Sequence, residues 1–310
     1  MSYGRSIKIA ARSSPLSMAQ AKEVLALLSS VHCDETFEIT PLASEGDIKK
    51  KVSLNTLERG VFAKRIEQAL IDGEADIAVH SAKDVPSDIP DGLAIAGYTR
   101  RMDPRDVIVQ REECTLDDLP TGFRLGTSSQ RRSCQILNLR PDIDIVPIRG
   151  NVDSRITLIE KGTVDGVVLG AAGLMRLGRL NEISSFLSLR QSIPDVGQGA
   201  LLVQCRNDDI LPLVSSCLDY KTQMEITAER AFVSAIGGSC TSPVAAYAET
   251  FGSQITIRVM AGLANGTKIY TSEITQSLGN LYEVGENAAV ALSESGASGL
   301  IGDIDGEIFI

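Results

Sequence analysis

Arginines recur in this chain at positions where an anion could be bound. Arg12, Arg131 with Arg132, Arg149 with Arg155, and Arg176 each follow a short apolar run that reads as a strand. Guanidinium forks match carboxylates bidentately, and helix N-termini capped by serine or threonine add N–H donors of the same polarity. Ser14 before Pro15, and Ser128-Ser129 before Arg131, are such caps. One arginine of this kind could merely solvate a helix end or pair with an aspartate. Repeated turn after turn, they describe a cleft for a polyanion, with carboxylates favoured over a nucleotide. No GxxxxGK phosphate loop occurs, and Gly197-Gln198-Gly199 has Leu202 where a dinucleotide fingerprint needs a third glycine.

Two further residues carry potential chemistry. Asp84 stands beside Lys83, just past the apolar run Ala75–His80. A carboxylate there can act as a general acid or base, or stabilise a developing cation; alone it could equally be a helix cap or ion-pair partner. Cys240 lies between Gly237-Gly238-Ser239 and Thr241-Ser242-Pro243. Most single cysteines are buried small hydrophobes, whereas a thiol in a glycine turn points to covalent use. A protease-like nucleophile is disfavoured, because the only imidazoles are His32 and His80 and neither has a motif context. His80 ends an apolar strand and reads as structural.

The composition narrows the classes. The chain has 310 residues, 43% hydrophobic and 23% charged, an ordinary globular balance that predicts two or three domains. Net charge is −10. That disfavours nucleic acid as a bulk partner, since phosphate binding is driven by basic side chains displacing counterions. Aromatics total 4% without a tryptophan, which weakens any base-stacking platform. The six cysteines form no CxxC pair, so neither a zinc site nor a disulfide framework is expected, and reduced thiols in a cytoplasmic compartment fit best. No apolar run reaches the ~18 residues of a membrane span, and the first residues lack a signal core.

The elements that must position these residues alternate. Strands are predicted at Ser6–Ala10, Phe37–Leu42, Ala75–His80, Leu93–Thr99, Phe123–Gly126, Asp144–Ile148 and Gly166–Gly170. Helices fall between them: Pro15 to about Ser30 with Leu16, Val24, Leu27 and Leu28 inward; Val61–Asp72 stopped by Gly73; Gln130–Leu139 stopped by Pro141; and one after Asn151. Such alternation implies parallel sheets covered on both faces, whose ligands bind outside the strands' carboxyl ends. Ala43–Gly60 is charged and unperiodic, and reads either as a mobile lid or as a surface excursion. The last third differs: a helix near Lys221–Ile236, strands Val244–Ala248, Gln254–Leu263 and Lys268–Thr275, a two-residue hairpin at Asn265-Gly266, and a helix Asn280–Ser293. This predicts a small α+β domain with an antiparallel sheet.

Several segments together resemble the porphobilinogen deaminases: Ile9–Gln20 (IAARSSPLSMAQ), Ala75–Pro86 (ADIAVHSAKDVP), Asp103–Asp106 (DPRD), Gly126–Arg132 (GTSSQRR), Arg149–Val152 (RGNV), Ala171–Leu174 (AAGL), Val196–Ala200 (VGQGA) and Glu229–Cys240. The resemblance covers roughly residues 6–250. It implies an α/β fold of two periplasmic-binding-protein-like lobes with parallel-rich sheets, plus a C-terminal α+β domain. The expected division is 1–99 with 200–218, 100–199, and 219–310. The implied reaction condenses four porphobilinogen molecules head to tail, releasing ammonia, on a dipyrromethane cofactor joined by a thioether to the cysteine matching Cys240. The catalytic aspartate matches Asp84, assisted by Lys83. The resemblance assigns Ser81, Ser128, Ser129, Arg131, Arg132 and Arg155 to the cofactor. It assigns Arg12, Ser14, Gln20, Phe62, Arg149, Arg176 and Gln198 to substrate, with no metal and a monomeric, cytoplasmic enzyme. Asn55 and Arg59 stand where relatives commonly carry lysines, and Ser239 where they carry glycine. Two other classes stay open beside this one: a non-catalytic anion-binding module of the same fold, which leaves Cys240 unexplained, and a nucleic-acid-binding protein, against which the acidic charge speaks.

Overall fold

A computed structural model describes residues 6–42, 61–86, 89–207, 210–237 and 243–297. The chain divides into two compact units, Met1–Met102 with Ala200–Gln223, and Asp103–Gly199 with Met224–Ile310.

The first unit is built on β1 (Ser6–Arg12), β2 (Thr36–Leu42), β3 (Ile77–Ser81), β4 (Leu93–Tyr98) and β10 (Leu201–Arg206), in the order β2-β1-β3-β10-β4. β1 runs parallel to β2 and β3, while β10 is antiparallel to both β3 and β4. Strand periodicity puts Ile7, Ile9, Ala11, Ile77 and Val79 on one face and Ala10 and Ala78 on the other. The first face is covered by α1 (Pro15–Val31) and α6 (Ile210–Ser215), the second by α2 (Val61–Ile71). Of the residues predicted inward on α1, Val24 and Leu28 are buried; Leu16 and Leu27 are only half-buried. Gly73 takes φ 72° after α2, as a helix-terminating glycine should.

The second unit repeats the arrangement with β5 (Asp106–Gln110), β6 (Arg124–Gly126), β7 (Asp144–Val146), β8 (Gly166–Gly170) and β9 (Ser185–Phe186), ordered β7-β6-β8-β5-β9. β6, β7 and β8 are parallel and β5 runs against them. Helices α3 (Gln130–Leu139), α4 (Val152–Glu160) and α5 (Ala171–Arg176) connect and cover them. Val107, Val109, Val167 and Leu169 face one core cluster; Ile108 and Val168 face the other. Strand β7 stops at Val146, two residues before the predicted end, and β5, β9 and β10 were not predicted at all.

The same unit carries an antiparallel sheet of β11 (Val244–Phe251), β12 (Gln254–Gly262) and β13 (Ile269–Ser277). One face packs on α7 (Tyr220–Ala235) and α8 (Leu281–Leu292); the other meets α3 through Cys134, Ala245, Tyr247 and Met260. The crossing of α7 and α8 requires glycine. A Cβ on Gly285 would lie 2.4 Å from Phe232 N and 2.5 Å from Ala231 Cβ. The β12–β13 hairpin corrects the two-residue expectation. Leu263 N–H donates to Lys268 O and Gly266 N–H to Leu263 O, so the loop holds four residues, with Gly266 at φ 72°. No helix among the described residues is long and apolar enough to cross a membrane.

Candidate active site

In the first unit, β1 and β3 run side by side in the same direction, with Ala10 opposite Ala78. Counting on two residues sets Arg12, the last residue of β1, level with His80. Arg12, Ser14 and Ser81–Asp84 therefore share the carboxyl end of the sheet, the place where open α/β sheets bind ligands. Ser14 caps α1: its Oγ accepts from Ser17 N at 3.3 Å. Beyond Ser81 the chain makes a single 3₁₀ turn, Ala82–Asp84, secured by Ala82 N–H donating to Ala200 O at 3.1 Å. Ala82 is buried, Lys83 half-buried and Asp84 exposed. Gln20, 4% exposed, donates from Nε2 to Ser81 Oγ at 2.8 Å. His80, near the end of β3, is buried; desolvation pushes its imidazole down to about 4, so it is neutral near pH 7.

In the second unit, the parallel strands β6, β7 and β8 deliver Ser128, Ser129, Arg131, Arg132, Arg149, Arg155 and Arg176 to one sheet end. Gly126 pairs with Val146 and with Val167. The turns after these strands hold Ser128–Arg132, Arg149–Arg155 and Ala171–Arg176 respectively. Ser128 is exposed and donates from Oγ to Ile148 O at 2.7 Å, tying the first turn to the second. Ser129 caps α3, its Oγ accepting from Arg132 N at 3.4 Å. Asn151 caps α4 through Ser154 N at 2.8 Å. Arg149 is exposed; Arg155 is half-buried, its Nε on Gly150 O at 2.9 Å. Arg176 ends α5 and donates from Nη2 to Gly199 O at 3.1 Å.

Arg131 and Arg132 sit differently. They are only 4% and 5% exposed, and both turn onto Asp106, which is wholly buried at the start of β5. Arg131 reaches the carboxylate from Nη1 at 2.8 Å and Nη2 at 3.3 Å; Arg132 from Nε at 3.0 Å and Nη2 at 2.7 Å. Ser192 Oγ adds a bond at 2.7 Å and Gln198 Nε2 another at 2.9 Å. Burial alone would raise the Asp106 carboxyl, but the charges and hydrogen bonds of Arg131 and Arg132 outweigh it and hold the group far below the usual carboxylate range. Gln198 also donates to Pro104 O at 2.7 Å.

The loop Val196–Gly199 has a second anchor. Glu229 on α7, wholly buried, accepts from Gly197 N at 2.8 Å and from Ala248 N on β11 at 2.9 Å. Sequence reasoning missed Asp106, Ser192 and Glu229. For Asp106 the signal was the Asp103–Asp106 run directly ahead of an apolar stretch; for Glu229, its spacing four residues after Glu225 on the face that also carries Ile226 and Phe232. Cys240, Ser239, the segment 43–60 with Asn55 and Arg59, and the side chain of Phe62 lie outside the described residues.

The donors fit a multiply carboxylated pyrrole cofactor. The carboxyl ends of β6 to β8 present guanidinium groups, hydroxyls and two capped helix N-termini, which suit carboxylates. Among the described residues no group of three or more His, Cys, Asp or Glu could hold a metal ion.

Known proteins share this sequence over nearly its whole length. A family model described as the porphobilinogen deaminase dipyromethane cofactor binding domain matches residues 7–211, and one described as the porphobilinogen deaminase C-terminal domain matches 223–294. A porphobilinogen deaminase of Syntrophus aciditrophicus is 41% identical, covering 94% of this chain and 96% of that one. Another from Brevibacillus brevis is 40% identical over 96% of this chain and 97% of its own. Among solved structures, a putative methionine-binding lipoprotein of Bacillus subtilis is similar at TM-score 0.43 and 14% identity, covering 71% of this chain and 92% of that one. The Bordetella pertussis BvgS periplasmic VFT2 domain is similar at TM-score 0.41 and 17% identity, covering 68% and 85%.

Proposed function

The chain belongs to the porphobilinogen deaminase family, and from that premise we propose how its residues share the reaction. The enzyme condenses four porphobilinogen molecules head to tail on a covalent dipyrromethane, releasing ammonia and then hydroxymethylbilane, in tetrapyrrole biosynthesis. When bound, the dipyrromethane supplies the free pyrrole carbon from which the chain grows. Cys240 is its attachment point by thioether.

Loss of ammonia from porphobilinogen leaves a methylene-pyrrole cation, and the ring that attacks it must later lose a proton from the bonded carbon. Asp84 is the group that meets both needs. A fixed carboxylate stabilises the cation and hydrogen-bonds the pyrrole N–H. Lys83 assists from the adjacent position. Ser81, Ser128, Ser129, Arg131, Arg132 and Arg155 hold the cofactor. Arg12, Ser14, Gln20, Phe62, Arg149, Arg176 and Gln198 bind the incoming rings, the arginines among them receiving acetate and propionate groups. The working division is 1–99 with 200–218, 100–199, and 219–310, in a monomeric cytoplasmic enzyme.

The observation that carries this reading is the Ala82–Asp84 turn: an exposed carboxylate on a short turn fastened at its start, by Gln20 on Ser81 and by Ala200 on Ala82. An anion-binding module needs no such carboxylate among its arginines. Intact mass of the active protein should exceed the chain by two pyrrole units, carried on the Cys240 peptide. Full activity with an unmodified Cys240 would overturn the assignment.

A further inference from the structure

The reading above treats Arg131, Arg132 and Gln198 as separate ligands. We propose that they act through one positioning residue, Asp106, which sets both guanidinium groups and the Gln198 amide at once. The proposal rests on the reading of Arg131 and Arg132 as cofactor residues.

The geometry leaves little freedom to any of the three. The arginines come from the first turn of α3, Asp106 from β5 and Gln198 from the loop before β10. Asp106 Oδ1 takes Arg132 through both Nε and Nη2, and Oδ2 takes Arg131 and Ser192. Backbone carbonyls fix what remains: Ile193 O receives Arg131 Nη1 at 2.7 Å and Val168 O receives Arg132 Nη1 at 3.1 Å. A long flexible side chain held at both ends of its guanidinium fork has one rotamer. Removing the carboxylate would leave two buried cations facing one another without their shared anion.

The location separates this from an ordinary core ion pair. The cluster lies against the carboxyl end of β8: a Cβ on Gly170, its last residue, would stand 3.7 Å from Arg132 Nη2 and 3.6 Å from Gln198 Cδ. Ser128 and Ser129 lie in the turn that leads into the same helix. A shift of the two guanidinium groups therefore moves the surface that receives a carboxylate.

The test uses Asp106→Asn, which keeps shape and loses charge, and Ser192→Ala, which keeps every charge and removes one donor to Asp106. Arg132→Leu is the reference. For each, the folded fraction is isolated by gel filtration, its urea midpoint measured, and the share of chains carrying two extra rings read by intact mass. Loading of the folded Asp106→Asn protein should fall about tenfold, and that of Ser192→Ala about two- to threefold. The double variant Asp106→Asn with Arg132→Leu should load no worse than the lower of the two single variants, because the residues act as one unit. A purely structural Asp106 would lower the urea midpoint while the folded fraction stayed fully loaded. Full loading in Asp106→Asn beside an empty Arg132→Leu overturns the proposal; if Asp106→Asn does not fold, full loading in Ser192→Ala does so. Full loading in Arg132→Leu overturns the reading beneath it.

Discussion

Gln20 Nε2 donates to Ser81 Oγ at 2.8 Å, joining the first turns of α1 to the end of β3 across sixty-one residues of sequence. Both residues are assigned above to ligand binding. The bond shows a second use: it fastens the strand end from which the Ala82–Asp84 turn begins. Because Gln20 is buried, a substitution there cannot be repaired by water.

Gln20→Leu should therefore displace the turn and leave Ser81 without this partner. A buried hydrogen bond lost with one partner left behind costs about 1–3 kcal/mol. Part of that should appear in the urea midpoint and part in kcat, falling about tenfold. An unchanged kcat, with the whole cost in stability, would show that the turn holds its place without Gln20.

Asp84→Asn keeps the volume and hydrogen-bonding reach of the side chain and removes the charge. Asp84 is exposed, so the fold should survive with an unchanged urea midpoint. Turnover of porphobilinogen should fall by orders of magnitude, since a neutral amide cannot offset the cation left when ammonia departs. Near-normal turnover in this variant would move the role to another group.

Most of this site could be read from residue order because it obeys local rules. Ser14, Ser129 and Asn151 are helix caps, and caps announce themselves by residue type just ahead of a periodic run. The strands β3 and β8 are apolar on both faces and so stand out; β8 keeps its expected ends, while β3 begins two residues later and ends one residue later than the Ala75–His80 run. What stayed hidden depends on contacts distant in sequence. Strand β10 lies between β3 and β4 with reversed direction, a pairing no local pattern encodes. The Asp103–Asp106 run is visible, but what Asp106 holds is hidden for the same reason: its arginines lie twenty-five and twenty-six residues away and Gln198 ninety-two. The Asn265-Gly266 pair marked the correct turn but not its length. Gly266 there occupies the left-handed position of a four-residue loop.

His80 gives the enzyme a defined acid sensitivity. Its imidazole falls from 6.5 in the unfolded chain to about 4 in the folded one, because burial disfavours the charged form. Between those values the unfolded chain binds the extra proton and the native state does not, so stability is full above pH 6.5 and is lost as the pH falls towards 4. The loss at the lower end amounts to about 3 kcal/mol. Urea midpoints measured across this range should slope downward into acid, and His80→Asn should flatten the slope. An identical slope in that variant would place the sensitivity elsewhere.

The α7–α8 crossing offers a stability test remote from the chemistry. Gly285→Ala forces a methyl against Phe232 N and Ala231 Cβ, and overpacking of this kind costs about 1–3 kcal/mol. Gly279→Ala is the matched control: its nearest neighbour is Ser277 O at 3.9 Å, and the change should stay within about 0.5 kcal/mol. Thermal unfolding of the two variants should differ in that order. Equal stability would mean that the helices can separate at no cost.

The last expectation divides the arginines by stage. Arg131 and Arg132 are buried and locked, as suits a group that stays through every turnover. Arg12 and Arg176 are half-buried at the ends of β1 and α5, and are better placed to take rings that arrive and move on. Arg131→Leu or Arg132→Leu should give mostly protein without dipyrromethane. Arg12→Leu or Arg176→Leu should keep the cofactor and slow ring addition. Losing one charge-assisted pair costs about 1.5–3 kcal/mol, enough to slow a step about ten- to a hundredfold without unfolding the chain. Native mass spectrometry after a brief pulse of porphobilinogen would display the distribution of bound rings. The Arg12 and Arg176 variants should stall with one or more rings added to a normal cofactor, while the Arg131 and Arg132 variants should show few ring-bearing species. One common ladder of intermediates from all four would mean that the arginines work as a single pool, without assignment to stages.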